Sequence, residues 1–461
     1  MTNWLPDKSE LKRPRYRSLM EAIEHAIENG LLLPGDRLPT HRELAFQLQL
    51  SVQTVSRAYT RLIEAGHIVG EVGRGSFVRN PADDHALPFP AQRASDEIVD
   101  LALLKPIVGN FHRDAMQRAL RQIAGDLPTD ILSSFRAATI AGRHVEAVDE
   151  WLELCGVPPD DMTVIATNGS TAAMTVAMMS VARSGDLIVT EKMSHHTVPA
   201  LCRSLGLRLH GLAIDEEGIL PSALDAACRA DSVKALYVVP DSGPVSCTMG
   251  TDRRQAIVEL ARQYDIAIIE NDACGPLPTG GISPLSALAP ERSYYFTSLT
   301  KCLLPGLRVG FLAVPHNAAS TVRERHMITN WMVTPLMHEI ATRWIEDGTA
   351  RALLDCQRDA LRERAAIAEK FLGGSNARIG NAGLQVWLPC PDIGSEARLV
   401  ERSREAGILV APGSTFSIGP LASEPGVRVS LGISDTQVLR QALRVLRSIT
   451  GENALMYGPH L

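Results

Sequence analysis

The amino-acid sequence predicts a multidomain protein. An N-terminal winged helix-turn-helix precedes an α/β domain with a large, mostly parallel sheet lobe and a smaller α+β lobe. Three observations predict it. The first 79 residues hold three short helical patterns followed by a Gly-flanked hairpin signal. Residues 80–97 are rich in proline and small residues and carry no apolar period. Beyond them, short β-branched runs alternate with helical segments, the pattern of a sheet covered by helices. At 461 residues the chain is long for one core, since domains run to roughly 100–200 residues each.

Composition sets the outer limits. With 45% apolar and 21% charged residues, the chain has the profile of a globular protein. No apolar run approaches the roughly 18 residues of a membrane span. The start, MTNWLPDKSELKRPRYRS, has no apolar segment behind its charges, so a cytoplasmic protein is expected. Eight scattered cysteines, without C-x-x-C pairs or clustered histidines, read as reduced and mostly buried thiols rather than a metal site. Net charge is −6, yet residues 1–80 carry 11 Lys/Arg against 9 Asp/Glu. That modest shift permits a polyanionic partner at the N-terminus.

The N-terminal elements follow in order. In SLMEAIEHAIENG, Leu19, Ile23 and Ile27 recur at four-residue spacing, and Gly30 supplies a helix stop. LPTHRELAFQL offers Thr40 and Glu43 as a capping box, with Leu44 and Leu48 on one face. Ser51 caps a third helix that turns Val52, Val55, Tyr59 and Leu62 inward and Gln53, Thr54, Arg57 and Arg61 outward. HIVGEVGRGSFVR reads as two short strands around Gly73, Arg74 and Gly75. Such a helix pair can enter a major groove while the hairpin's arginine reaches a minor groove or phosphate. The alternative is a helical adaptor whose charged face is merely solvated.

Further along, MTVIAT, DLIVT, VKALYVVP, DIAIIEND and RSYYFTSL read as strands, and TDRRQAIVELARQY as a helix. The helical RALLDCQRDALRERAAIAEKFL and the pieces LQVWLP and VRVSL mark the smaller lobe from about residue 345. Ligands of such sheets gather beyond the carboxyl ends of the strands. There MTVIATNGSTAAM presents the N–H groups of Ser170 and Thr171 at a helix start, an anion site or an ordinary helix opening. In TSLTKCLLPGLRVG, Ser298, Lys301 and Arg308 suit a phosphorylated aldehyde bound to lysine, against a plainly solvated lysine. Glu270, Asn271 and Asp272 end a buried strand, as ring contacts or turn caps. Arg428 pairs with a substrate carboxylate or with a surface partner.

Residues 16–78, with LPTHRELA, TVSRAY and GRGSFV, resemble the GntR-type winged helix along its whole length. Together with the later motifs in their order, nearly the whole chain resembles the MocR family of transcriptional regulators. These fuse that winged helix to a fold-type I aminotransferase-like domain using pyridoxal 5′-phosphate (PLP). The resemblance implies residues 1–79 as winged helix, 80–97 as linker, 98–344 as the PLP-binding region and 345–461 as the small lobe. It places Arg42, Ser51, Thr54, Arg57 and Gly75 on double-stranded operator DNA, with Arg74 added on the physical reading above. It assigns Ser170, Thr171, Ser298 and Arg308 to the phosphate, Lys301 to a Schiff base, His195 to stacking on the pyridine ring and Arg428 to an effector carboxylate. A homodimer and a small amino compound as effector are expected.

Three departures from the family pattern bear on chemistry. DSGPVS stands where NPTG is usual, so Gly243 replaces an asparagine; ENDAC stands for ED-x-x-Y, aligning Asn271 with the aspartate under the pyridine nitrogen and Cys274 with the tyrosine. A one-residue slip would bring Asp272 there instead. A carboxylate keeps the pyridinium protonated and the ring an electron sink, whereas a neutral amide does so far less. The sequence therefore supports a PLP-dependent sensor first and a working aminotransferase with a DNA-binding appendage second.

Overall fold

The computed structural model describes residues 4–6, 12–28, 31–33, 36–64, 67–71, 75–78, 98–133, 142–419 and 424–456. Arg74, Gly73, Gly30 and the linker at 80–97 lie outside the described residues. The chain divides into two compact units, residues 1–92 with 419–422 and residues 93–418 with 423–461.

In the first unit, α1 (Arg15–Glu28), α2 (His41–Leu48) and α3 (Val52–Glu64) precede an antiparallel hairpin of β1 (Ile68–Glu71) and β2 (Gly75–Val78). The capping box at Thr40 forms: Glu43 N–H donates to Thr40 Oγ1 at 3.3 Å, and Thr40 N–H donates to a Glu43 carboxylate oxygen at 2.9 Å. Leu19, Ile23, Leu44, Leu48, Val55, Tyr59 and Leu62 share one core with Ile68 and Val78. Val52 departs from the expected inward set and is 46% exposed. It occupies the first position of α3, at the end of the helix rather than over the facing helices. The hairpin also gains an edge the sequence did not announce. Arg37 bridges Phe77, Leu38 N–H donates to Ser76 O, and Val78 N–H donates to Asp36 O.

The second unit is built on a seven-stranded sheet. Its strands are β3 (Thr163–Thr167), β4 (Leu187–Glu191), β5 (Arg208–Leu212), β6 (Val233–Val238), β7 (Ala267–Asp272), β8 (Ser293–Ser298) and β9 (Gly310–Val314). The spatial order is β3-β9-β8-β7-β6-β4-β5, and β9 alone runs antiparallel to its neighbours. The mixed, mostly parallel sheet agrees with the expectation from sequence. Strand alternation sends Ile269 and Phe296 to one face, where α4 (Ser170–Val181) covers them with Ala173, Met174 and Val176. Tyr295 and Phe311 point to the other face, into a core with Trp151 and Trp344.

The smaller lobe holds an antiparallel sheet of β10 (Arg378–Ile379), β11 (Gln385–Pro389), β12 (Ala411–Pro412) and β13 (Gly426–Ser430), in the order β10-β11-β13-β12. Two findings qualify the lobe boundaries read from sequence. Val99–Asp100 pairs with Ile408–Leu409, and Leu101 packs in the small-lobe core, so the chain enters that lobe before the large one. The long helix Thr349–Leu372 puts Leu353 and Leu354 in the large-lobe core and Ile367 and Leu372 in the small-lobe core. Residue 345 is thus no break in packing. All eight cysteines are free thiols, four of them buried, and no helix among the described residues is long and apolar enough to cross a membrane.

Thr40→Ala is expected to destabilise α2 by about 1 kcal/mol, read in the full chain as roughly fivefold faster amide hydrogen exchange in residues 43–46. Unchanged exchange would show that the cap contributes nothing.

Candidate functional site

The first unit presents α3 by its N-terminal turn. Thr54 N–H donates to Ser51 Oγ at 3.1 Å, and the two hydroxyls lie 2.8 Å apart, so both serve the cap while remaining near the surface. Arg42 and Arg57 are exposed. The Arg57 guanidinium sits 4.2 Å from the centre of the Tyr16 ring, a cation-π contact that restrains it without neutralising it. Gly75 has φ +118°, a conformation that favours glycine in the wing, and a Cβ there would come 3.0 Å from Arg37 Nε, so that side chain would have to shift.

In the second unit the candidate residues gather at one edge of the large sheet. Ser298 pairs with Gly310, and Gly310 with Thr167, which sets the ends of β8 and β3 on either side of the start of β9. Because β9 is antiparallel, the residue two positions before it, Arg308, reaches the carboxyl ends of the parallel strands. Gly169, at φ +86°, opens α4 beneath it; a Cβ on Gly169 would stand 3.1 Å from the Arg308 guanidinium. Ser170 is half-buried and Thr171 exposed in the first turn of α4, where unpaired N–H groups favour an anion. Ser298 Oγ is buried with no hydrogen-bond partner among the described residues, a hydroxyl that a bound oxyanion would satisfy.

Lys301 follows in the short helix Leu299–Cys302. Burial first, then the charges of Arg428 and Arg308, lowers its pKa to about 8. Its Nζ donates to Leu104 O. Arg428, on β13, is 7% exposed and donates to Ala102 O at 2.9 Å, with its guanidinium 4.5 Å from the centre of the Phe416 ring. Its Nε has no partner among the described residues, and burial lowers its pKa to about 10. No carboxylate among the described residues pairs with Lys301, Arg308 or Arg428. A site with three such cations is matched to ligands bearing phosphate and carboxylate groups.

Aromatic groups close the other side. His195 stacks on His196 at 4.5 Å, and His196 meets Phe416 edge-on at 6.2 Å. Burial, then neighbouring charge including Arg428 and Lys301, drives His195 well below its ordinary pKa and His196 to about 4, so both rings are neutral at pH 7. His195 Nδ1 lies 2.8 Å from Thr197 Oγ1.

The two candidates at the end of β7 part company. Asn271 lies on the α4 side, with Nδ2 2.7 Å from Tyr237 Oη. Asp272 turns to the opposite face, accepting from Tyr295 Oη at 2.6 Å and Gly275 N–H at 2.9 Å. Burial raises its pKa to about 7. Gly243 is engaged through its carbonyl by Gln385 Nε2 at 2.5 Å. Cys274 is buried, which raises its thiol to about 12. His196, Tyr237 and Phe416 were missed by sequence reading. The His-His pair was a visible signal; the carbonyls of Ala102 and Leu104 offered none, since they are backbone atoms of a segment that passes from the small-lobe core at Leu101 to the large-lobe core at Leu104.

Comparison with known proteins matches residues 15–78 to the bacterial regulatory proteins of the gntR family and residues 112–446 to aminotransferase class I and II. The chain is 25% identical over 452 residues to the uncharacterized HTH-type transcriptional regulator YdeF of Bacillus subtilis, covering 97% of this chain and 96% of that one. It is 24% identical to the HTH-type pyridoxine biosynthesis transcriptional regulator PdxR of Corynebacterium glutamicum, over 92% of this chain and 93% of that one. The fold is similar to the crystal structure of Pyrococcus horikoshii kynurenine aminotransferase, with TM-score 0.70 and 20% identity, over 79% of this chain and 96% of that one.

The lowered pKa predicts that Lys301 reacts with a small amine-modifying reagent with a midpoint near pH 8, ammonium below and amine above. Arg428→Met should move that midpoint upward, because it removes a neighbouring positive charge. Peptide mass spectrometry across pH checks both; a midpoint at the ordinary lysine value would contradict the burial.

Proposed function

Because the chain belongs to the class I and II aminotransferase family and carries a GntR-type helix-turn-helix ahead of that domain, we propose that it is a PLP-binding transcriptional regulator. The winged helix binds double-stranded operator DNA, and the α/β unit responds to a small amino compound. The reading rests on one observation above the others: a lysine with a pKa lowered to about 8 lies at a strand end among Ser298, Arg308 and the first turn of α4. The orphaned Ser298 Oγ and the glycine-lined approach of Arg308 fit a phosphate. The names of two relatives aligned over most of this chain, both HTH-type transcriptional regulators, favour regulation.

In this reading Lys301 would hold PLP, and Ser170, Thr171, Ser298 and Arg308 would hold its phosphate. His195 would serve the ring, and Arg428 would exchange the Ala102 carbonyl for the effector's carboxylate. When bound, PLP supplies an electrophilic carbon for primary amines and an electron-withdrawing ring. Asn271, rather than Asp272, lies on the face shared with α4, and a neutral amide supports the electron sink weakly. That favours sensing over sustained transamination. The protein acts in the cytoplasm, as a homodimer whose two winged helices read two half-sites.

Added PLP is expected to give a visible absorbance band in the wild type and none in Lys301→Ala. Titration with a panel of amino acids and amines should then change the spectrum and operator affinity together, without turnover. Sustained product formation from an amino donor and a keto acid would instead favour the aminotransferase reading. On the DNA side, Arg42→Ala should weaken binding across sequences and reduce the salt slope by about 1; an unchanged slope would remove Arg42 from the phosphate contacts.

A further inference from the structure

We propose that Asn271 donates a hydrogen bond to the ring nitrogen of PLP and thereby keeps that nitrogen unprotonated, with Tyr237 as the positioning residue that orients the amide. The inference rests on the reading of this site as a PLP site and goes beyond it by assigning the protonation state of the ring.

The argument begins with the orientation of one amide. The backbone N–H of Ala273 can only donate, so the Asn271 atom 3.1 Å from it is Oδ1. That choice sends Nδ2 toward Tyr237 Oη, 2.7 Å away, and the phenol oxygen accepts. The orientation therefore follows from the chemistry of two neighbours, one in the turn after β7 and one on β6. An amide nitrogen carries two hydrogens, and Tyr237 takes one. The other has no acceptor among the hydrogen bonds of the described residues, although Asn271 is only 4% exposed.

The surroundings keep Asn271 in this role. Tyr237 is fully buried in β6, and its ring packs 6.4 Å from Phe296. The phenol cannot swing away without opening the core beneath α4. The carboxylates that could serve the ring nitrogen instead are committed. Asp272 is on the other face of the sheet with Tyr295 and Gly275. Glu191 accepts from Val239 N–H at 2.7 Å, from Thr190 Oγ1 at 2.8 Å and from Ser194 Oγ at 3.1 Å.

An amide N–H needs a lone pair opposite it. A neutral pyridine nitrogen offers one; a pyridinium offers another N–H and is repelled. The preference is built in, because near neutral pH an amide neither supplies nor removes a proton. The consequence is a weak electron sink. Such a ring would still supply an electrophilic carbon for amines, while it would stabilise loss of the effector's Cα proton only weakly.

The test uses the full-length protein loaded with PLP labelled with nitrogen-15 in the ring. Borohydride reduction and peptide mapping first establish attachment at Lys301. The nitrogen chemical shift is then read from pH 6 to 9. The expected result is the unprotonated shift throughout in the wild type, and the protonated shift in Asn271→Asp. Tyr237→Phe, with the amide free to rotate, should show a shift between the two. A protonated nitrogen in the wild type overturns the proposal, and so does an identical shift in wild type and a folded Asn271→Asp protein. The wild-type signal decides even where a variant fails to fold. Absence of attachment at Lys301 overturns the underlying site reading, and it is seen before any nitrogen signal is recorded.

Discussion

Gly310 packs so closely on Gly169 that a Cβ there would lie 2.9 Å from the Gly169 carbonyl carbon and 2.9 Å from Thr297 O. This contact lets an antiparallel strand sit between two parallel ones at the edge where their carboxyl ends emerge. Arg308 could not otherwise reach the start of α4, and Ser298 would have no counterpart across the edge. A side chain at Gly310 would push β3 and β8 apart and disperse the candidate phosphate groups. The wider sheet and its two cores hold this arrangement in place.

Electrostatics imposes the second constraint. Three cations lie near one another, Arg308 exposed, Lys301 half-buried and Arg428 buried, and backbone carbonyls and a phenyl ring are what meet Lys301 and Arg428. Burying positive charge without a carboxylate costs stability. The large apolar cores on both faces of the sheet are where that cost can be offset. The same desolvation that lowers Lys301 keeps His195 and His196 neutral. Ligand anions would replace carbonyls with full opposite charges, which is the stronger pairing.

The path of the chain within the second unit matters as well. Val99–Asp100 pairs with Ile408–Leu409 of the small lobe, and within five residues the carbonyls of Ala102 and Leu104 rest on Arg428 and Lys301. The first residues of the α/β unit are therefore part of the candidate site, though they carry no motif of their own.

The sequence by itself determined the two-part architecture, because helical periodicity, the Thr40–Glu43 capping box, strand runs and their alternation are local properties of neighbouring residues. It also singled out Lys301, Arg308, Ser298, Ser170 and Arg428, whose residue types and order carry a recognisable resemblance. Tertiary structure decided the rest. Whether Asn271 or Asp272 lies on the α4 face depends on strand register, where one residue inverts the side-chain direction, and Tyr237 and Tyr295 hold each to its face from different strands. The roles of β9, Phe416 and the Ala102 and Leu104 carbonyls arise from contacts between segments tens to hundreds of residues apart. Val52 turned outward because its burial depended on which helices reach the first turn of α3 rather than on its own period.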